Sequence, residues 1–391
     1  MKPDRIYLDN AATSWPKPPS VLEAVLTTMR DNGASAGRGS YDSSLAAAQI
    51  VEDARRRMAK LIGAEQPARI AFGFNGTDVL NLAISGMIPH AEYVATTAAD
   101  HNSVHRPLQW WYETHPQAKM LEAVGCDVEG RVKLHKLESA FARGADLLVV
   151  THASNVTGTI QPLEQILEMA QQYDVRTILD AAQTLGHEPL NVQQLPFDVV
   201  VGSGHKGLLG PLGTGVLYLR PGLEDHLTPS RFGGTGTESE SPRHPQTMPF
   251  KFEAGNHNVP GLAGLAAGIA WLESQGVEAL RDRQRSLLGE LIERLRSIDA
   301  VTLYGTQDPS QSVAVLSFNI AGFDPQEVAA LLDSQYGIEV RSGLHCAPLI
   351  HQSICSLPLG GTVRVSLGPF NTREHLEQLA AAVEEIAAAS G

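Results

Sequence analysis

Cysteine is nearly absent from this chain. Cys126, Cys346 and Cys355 are the only three in 391 residues, and they form no Cys-x-x-Cys pair and no even framework. This excludes a disulfide-stapled scaffold and points to free thiols in a reducing compartment. It also supplies no ligand set for a metal, and none is expected. Long apolar runs are missing too. No stretch reaches the ~18 residues of a membrane-spanning helix, and Met1–Arg5 is not the start of an apolar leader, so a cytoplasmic protein is expected. Basic charge is scarce. Thirty Lys and Arg against 43 Asp and Glu leave a net charge of −13, which argues against nucleic acid or an anionic membrane as the main partner. The remaining composition is ordinary, and 43% hydrophobic residues suffice for a sizeable core.

The order of patterns along the chain predicts an α/β fold. Residues 1–20 read as an extended, proline-broken arm, and 20–31 and 44–62 as helices, the second ending at Gly63. Between residues 68 and 220, short apolar strands alternate with helical stretches. The strands are Arg69–Phe72, Tyr93–Thr96, Leu147–Thr151, Thr177–Leu179, Asp198–Val201 and Gly215–Leu219. Such alternation builds a mostly parallel sheet covered by helices, with ligands at the carboxyl ends of its strands. Residues 233–242 are rich in turn formers and read as an exposed loop or lid. A helix over 260–275 is followed by an amphipathic one carrying Leu280, Leu287, Leu291 and Leu295. A smaller α+β part follows, with strands Val313–Asn319 and Glu339–Arg341, helix Pro325–Tyr336 capped by Asp324, and a helix from about 372 that frays at Ala387–Gly391. The expected division is an arm (1–20), a large domain (21–262) and a small domain (263–391).

Lysine is rare, with eight in the chain, and one stands out. Lys206 follows the apolar strand at Val201 in a small-residue turn, Gly202-Ser203-Gly204-His205-Lys206-Gly207. That is a good position for a covalent bond to an aldehyde cofactor. Asp180, 26 residues earlier, ends another apolar strand. Pyridoxal 5'-phosphate (PLP) needs a carboxylate on its ring nitrogen and a lysine on its aldehyde carbon, and two strand ends of one sheet can supply both. Asn75-Gly76-Thr77 opens a helix, which suits either an anion or a plain helix cap. Ser203 and His205 can add phosphate donors. His101 fits stacking on a flat cofactor, proton transfer, or an ordinary loop position. Asn155 and Gln183 both suit hydrogen bonding to a phenolic oxygen. Cys346 lies in a turn beside His345, five residues after Arg341, a setting that favours a nucleophilic thiolate. Cys126 reads as a structural thiol, and Cys355 as an accessory thiol or, from its apolar neighbours Ile354 and Leu357, a packed one. Arg364, inside a short apolar strand, needs a carboxylate, and either a structural ion pair or a substrate carboxylate satisfies it.

These stretches resemble the class V aminotransferase family, and within it the cysteine desulfurase branch that includes selenocysteine lyases. The match runs in order over nearly the whole chain. Its motifs are Tyr7-Leu8-Asp9-Asn10-Ala11-Ala12, Ala99-Asp100-His101, Ser154-Asn155-Val156-Thr157-Gly158, Asp180-Ala181-Ala182-Gln183, Ser203-Gly204-His205-Lys206, Phe252-Glu253-Ala254-Gly255, Arg341-Ser342-Gly343-Leu344-His345-Cys346 and Arg364-Val365-Ser366-Leu367. The resemblance implies a fold-type I PLP enzyme with a seven-stranded sheet, acting as a homodimer. It implies that Lys206 carries PLP, Asp180 pairs its ring nitrogen, Gln183 bonds its phenolic oxygen and His101 stacks on the ring. Thr77, Ser203 and His205 would hold the phosphate. Arg364 would bind the substrate carboxylate, near Ala11 and Arg341. Asn256 stands where the family places a threonine that reaches the partner subunit's phosphate, and an amide can still donate there. The implied reaction takes L-cysteine to L-alanine, with sulfur passing as a persulfide to Cys346 and then to an acceptor protein or thiol. The alternatives are an aminotransferase, a selenocysteine lyase or another lyase that makes no use of Cys346, and a partner protein that keeps the fold without the chemistry.

Overall fold

The computed structural model describes residues 5–115 and 118–389. The first four residues of the arm and Ser390-Gly391 of the expected fraying end lie outside the described residues. The first half of the chain runs β1 (Ile6–Tyr7), α1 (Pro19–Asp31), α2 (Asp42–Leu61), β2 (Ile70–Gly73), α3 (Gly76–Met87), β3 (Tyr93–Thr97), α4 (Asn102–Thr114), β4 (Met120–Val124), α5 (Leu134–Ala142), β5 (Leu147–Thr151), α6 (Leu163–Gln172), β6 (Arg176–Asp180), β7 (Val199–Ser203) and β8 (Gly215–Leu219). The second runs α7 (Val259–Gln275), α8 (Val277–Arg296), β9 (Val301–Tyr304), β10 (Val315–Ile320), α9 (Pro325–Tyr336), β11 (Ile338–Glu339), β12 (Arg341–Gly343), α10 (Pro348–Ser353), β13 (Thr362–Ser366) and α11 (Arg373–Ala388).

Seven strands form the large sheet in the order β2-β8-β7-β6-β5-β3-β4. Only β8 runs against its neighbours β2 and β7. Strand β5 shows why the sheet is buried on both sides. Leu147 and Val149 join one apolar cluster with α3 and α4, while Leu148 and Val150 join another with α2, α5, α6 and α7. Successive side chains of a strand point to opposite faces, so an unbroken apolar run demands cover on both. The seventh strand, β4, has no counterpart among the six read from sequence. It lies at the sheet edge beside β3 and is half exposed, so it lacks the apolar run that marks the inner strands.

A four-stranded antiparallel sheet, β12-β13-β10-β9, lies in the C-terminal part. Its core is contributed by α8, α9 and α11 and takes in Ile6 and Leu8 from the arm. The strand predicted over Glu339–Arg341 is two strands. Ile338–Glu339 pairs in parallel with Ile6–Tyr7, and Arg341–Gly343 pairs antiparallel with β13. Two different partners claim successive halves of the segment, and Val340 joins them. Helix α9 starts as read, with the Asp324 side chain accepting from the Gln326 N–H at 2.7 Å.

A buried ion pair ties α2 to the segment after β8. Arg55, 2% exposed, meets both carboxylate oxygens of Glu253 at 3.0 Å. Glu253 also accepts from the Phe72 N–H at 2.7 Å and faces His257 at 2.8 Å. Arg55→Leu leaves Glu253 buried without its cation, which costs about 3–5 kcal/mol. The expected result is a lower urea midpoint with an unchanged slope in equilibrium unfolding.

Candidate active site

The strands β2, β3, β5, β6 and β7 all end on one side of the sheet, and a cavity of about 840 Å³ opens there. It is lined by Ala11, Gly76, Thr77, His101, Asn155, Asp180, Gln183, Ser203, His205, Lys206, Arg341 and Arg364. The topology therefore brings together residues that the sequence scatters over more than 350 positions.

Lys206 sits in a turn fixed from several sides. The N-terminal arm clasps it, with Ser14 N–H (3.0 Å) and the Lys17 ammonium (2.8 Å) donating to the His205 carbonyl, and Ser14 Oγ to the Lys206 carbonyl (2.9 Å). Gly207 must be glycine, because a Cβ there would run into the Leu185 carbonyl. Burial pushes the Lys206 amine down to about 8, Asp180 opposes that shift, and Arg364 and Arg341 add to it. Asp180 ends β6 and is almost fully buried. Burial lifts its carboxyl to about 6, against the Ala182 N–H at 2.9 Å and the charge of Lys206.

Opposite lies the start of α3. The Asn75 side chain caps it by accepting from the Asp78 N–H at 2.9 Å. The N–H groups of Gly76 and Thr77, in the first turn, have no acceptor inside the helix. Ser203 Oγ and His205 Nδ1 are buried nearby and, among the described residues, have no hydrogen-bond partner. A Cβ on Gly76 would come within 3.4 Å of the Ser203 side chain. Thr77 Oγ1 is 2.7 Å from Ser103 Oγ. Burial, with Lys206 and Lys17 nearby, pushes His205 down to about 4, so its ring is neutral.

His101 caps α4, and its Nδ1 accepts from the Ser103 N–H at 3.0 Å. Its pKa is about 4, lowered by burial first and then by Lys206 and Arg341. At neutral pH the ring is uncharged, and since Nδ1 accepts, the proton is on Nε2. Gln183 Nε2 donates to the Ala11 carbonyl at 3.1 Å, and Asn155 Nδ2 to the His345 carbonyl at 2.7 Å. These donors are engaged within the protein, which sequence reading did not foresee. Arg364, 1% exposed, pairs with Asp9 and donates to the Asn155 carbonyl at 3.0 Å, yet it also lines the cavity. The ion pair left open for it is present, and the side chain also faces the cavity.

Cys346 does not line this cavity. It lies on an adjoining groove of about 470 Å³ with Arg106, Trp110 and Trp111, and the groove shares Thr77, His101 and Ser103 with the cavity. The thiol is half exposed, and Arg341 Nη2 donates to its sulfur at 3.3 Å. Its backbone is left-handed (φ 60°), as is that of His345 (φ 50°), and two such non-glycine residues in a row persist only where neighbours fix them. Here the Asn102 N–H donates to the Cys346 carbonyl at 2.7 Å, and the His345 ring lies 3.0 Å from Thr362 Oγ1. Cys126 is buried, and burial pushes its thiol up to about 12. Cys355 corrects the sequence reading. It is exposed, standing just past the end of α10 in a left-handed conformation of its own (φ 59°). Asn256 is exposed and lines a separate pocket with Phe252–Asn258, and no residue of 233–242 lines the cavity.

Sequence reading missed Asp9, the partner of Arg364, although Tyr7-Leu8-Asp9 was among its motifs. It also missed the N–H of Asn102, since a backbone donor leaves no signature. Among the described residues, no group of three or more His, Cys, Asp or Glu is placed to hold a metal ion, and no helix is long and apolar enough to cross a membrane.

The model of the family described as Aminotransferase class-V matches residues 6–379. The chain belongs to this family. A probable cysteine desulfurase of Methanothermobacter thermautotrophicus is 34% identical over 388 residues, 98% of this chain and 95% of the relative. A cysteine desulfurase of Salmonella agona is 31% identical over 97% of this chain and 93% of its own. Solved cysteine desulfurase structures share the fold. The apo structure of the cysteine desulfurase from Thermococcus onnurineus NA1 superposes with a TM-score of 0.92 at 33% identity, covering 99% of this chain and 95% of that one. The cysteine desulfurase CsdA (S-sulfonic acid) of Escherichia coli gives 0.87 at 26% identity, covering 98% and 95%.

Proposed function

We propose that this chain is a PLP-dependent cysteine desulfurase, converting L-cysteine to L-alanine and passing the sulfur through a persulfide on Cys346 to an acceptor protein or thiol. The observation that carries this is the pairing of two features. Lys206 and Asp180 face one cavity, and a thiol held by Arg341 stands on the groove beside it.

The donor set fits PLP. Ser203 Oγ, without a hydrogen-bond partner among the described residues, and the first-turn N–H groups of Gly76 and Thr77 suit its phosphate. The buried carboxyl of Asp180 suits a protonated ring nitrogen. Bound PLP would supply an electron sink for the substrate's α-carbon. Lys206 would hold it, then take the Cα proton as a free amine. His101 would lie against the ring and carry protons through Nε2, with Gln183 and Asn155 beside the phenolic oxygen. Arg364 would take the substrate carboxylate, next to Ala11. The Cys346 thiolate would attack the substrate sulfur. The Cβ–S bond breaks with its electron pair left on carbon, and protonation there completes alanine. The same reading makes the chain a cytoplasmic homodimer, with Asn256 directed to the partner's phosphate site and 233–242 acting as a lid. It keeps the division into arm 1–20, large domain 21–262 and small domain 263–391.

The direct test is alanine and sulfide release from L-cysteine in the presence of a reductant. Two further results are expected. His101→Ala lowers turnover by roughly 10² to 10⁴ while PLP affinity changes far less; unchanged turnover would remove His101 from proton transfer. Covalent uptake of PLP by the apo protein needs the unprotonated Lys206 amine. Its rate therefore rises with pH to a plateau and is half-maximal near 8, measured by borohydride trapping of the pyridoxyl group.

A further inference from the structure

Arg364 already holds a carboxylate before any substrate arrives. Its Nη2 meets Asp9, Nη1 donates to the Asn155 carbonyl at 3.0 Å, and Nε is buried with no partner among the described residues. Asp9 is not free to drift away. Leu8 N–H donates to the Glu339 carbonyl at 2.9 Å, Ser366 N–H to the Leu8 carbonyl at 2.7 Å, and Asn10 Nδ2 to the Ser366 carbonyl at 3.0 Å. The backbone on both sides of Asp9 is thus fastened to β13, the strand that carries Arg364. Arg341 stands opposite Arg364 across the β12–β13 pair and lines the same cavity wall.

We propose that Asp9 is a positioning residue that sets how weakly the site holds an amino acid carboxylate, and so keeps the release of alanine fast. This rests on reading the cavity as an amino acid site with Arg364 as its carboxylate anchor. A buried guanidinium needs a counter-charge, and Asp9 supplies it permanently. The substrate or product carboxylate is then the second anion on one guanidinium. Two carboxylates on one guanidinium repel, and in a half-dry site the repulsion lowers affinity on the order of tenfold or more. A site without Asp9 would bind every amino acid carboxylate tightly, and L-alanine would stay after each turnover.

The test uses the holoenzyme, Asp9→Asn and Asp9→Glu, with L-alanine as an inhibitor of L-cysteine turnover. In Asp9→Asn, the inhibition constant of L-alanine and the KM for L-cysteine are expected to fall about tenfold, kcat falls as release slows, and L-alanine raises the unfolding midpoint more than in the wild type. Asp9→Glu keeps the charge and stays near the wild-type constants. A second measurement needs no variant. If Arg364 is already neutralised, the wild type binds L-alanine less than about tenfold more tightly than L-alaninamide, which lacks the carboxylate. A preference of about a hundredfold or more for L-alanine overturns the proposal, as does an unchanged or weakened L-alanine constant in a folded Asp9→Asn enzyme with intact turnover. No cysteine turnover and no alanine binding in the wild type overturns the underlying reading together with the proposal.

Discussion

Lys206→Ala is expected to purify folded and without a covalently attached cofactor. Borohydride should then fix no pyridoxyl group on the chain, and desulfuration should fall by roughly three orders of magnitude or more. Among the described residues, no other lysine lines the cavity. The Lys17 amine is close in sequence to the cavity wall, but it donates to Ser14 Oγ at 2.6 Å and to the His205 carbonyl at 2.8 Å, and it does not line the cavity. The fold should not suffer. The turn is held by backbone groups and by the arm, and burial opposes the charge on Lys206, so its removal leaves the thermal midpoint unchanged or higher. PLP affinity should drop but persist, because Gly76, Thr77, Ser203 and Asp180 remain. A variant that still carried trapped pyridoxyl would place the attachment on another lysine.

Cys346→Ser has the second large effect, and it separates the desulfurase from its relatives in chemistry. Serine matches the thiol in size and keeps the backbone bonds from Asn102 and around His345 that fix the loop. Cofactor content and the absorption of the bound cofactor should therefore stay as in the wild type. Sulfide release should fall by roughly three orders of magnitude, because a hydroxyl is not a nucleophile for sulfur at neutral pH. An aminotransferase or a lyase independent of this thiol would work equally well with either residue.

Much of the site was legible because a parallel sheet gathers strand ends. Once the apolar runs ending near Thr97, Thr151, Asp180 and Ser203 are read as parallel strands, their polar turns must meet on one edge. The lysine and the aspartate then face a common cavity without any knowledge of long-range contacts. Other features had no such local mark. Arg364 advertised its need for a carboxylate, but Asp9 lies 355 residues away, and only the pairing of the arm with β11 and β13 brings it near. The edge strand β4 lacks the apolar run that betrayed its neighbours. Cys355 was misread because Ile354 beside it is indeed packed, while the cysteine itself stands just past the end of α10 in a left-handed conformation.

The central claim is that sulfur leaves L-cysteine onto Cys346, and a single-turnover experiment addresses it most directly. The holoenzyme is mixed with L-cysteine without reductant, alanine is counted, and the peptide containing Cys346 is weighed by mass spectrometry. The account predicts one alanine per site and a Cys346 peptide heavier by one sulfur atom, with the Cys126 and Cys355 peptides unchanged. Alanine formed with an unmodified Cys346 peptide, or sulfur found on Cys355 instead, would contradict it.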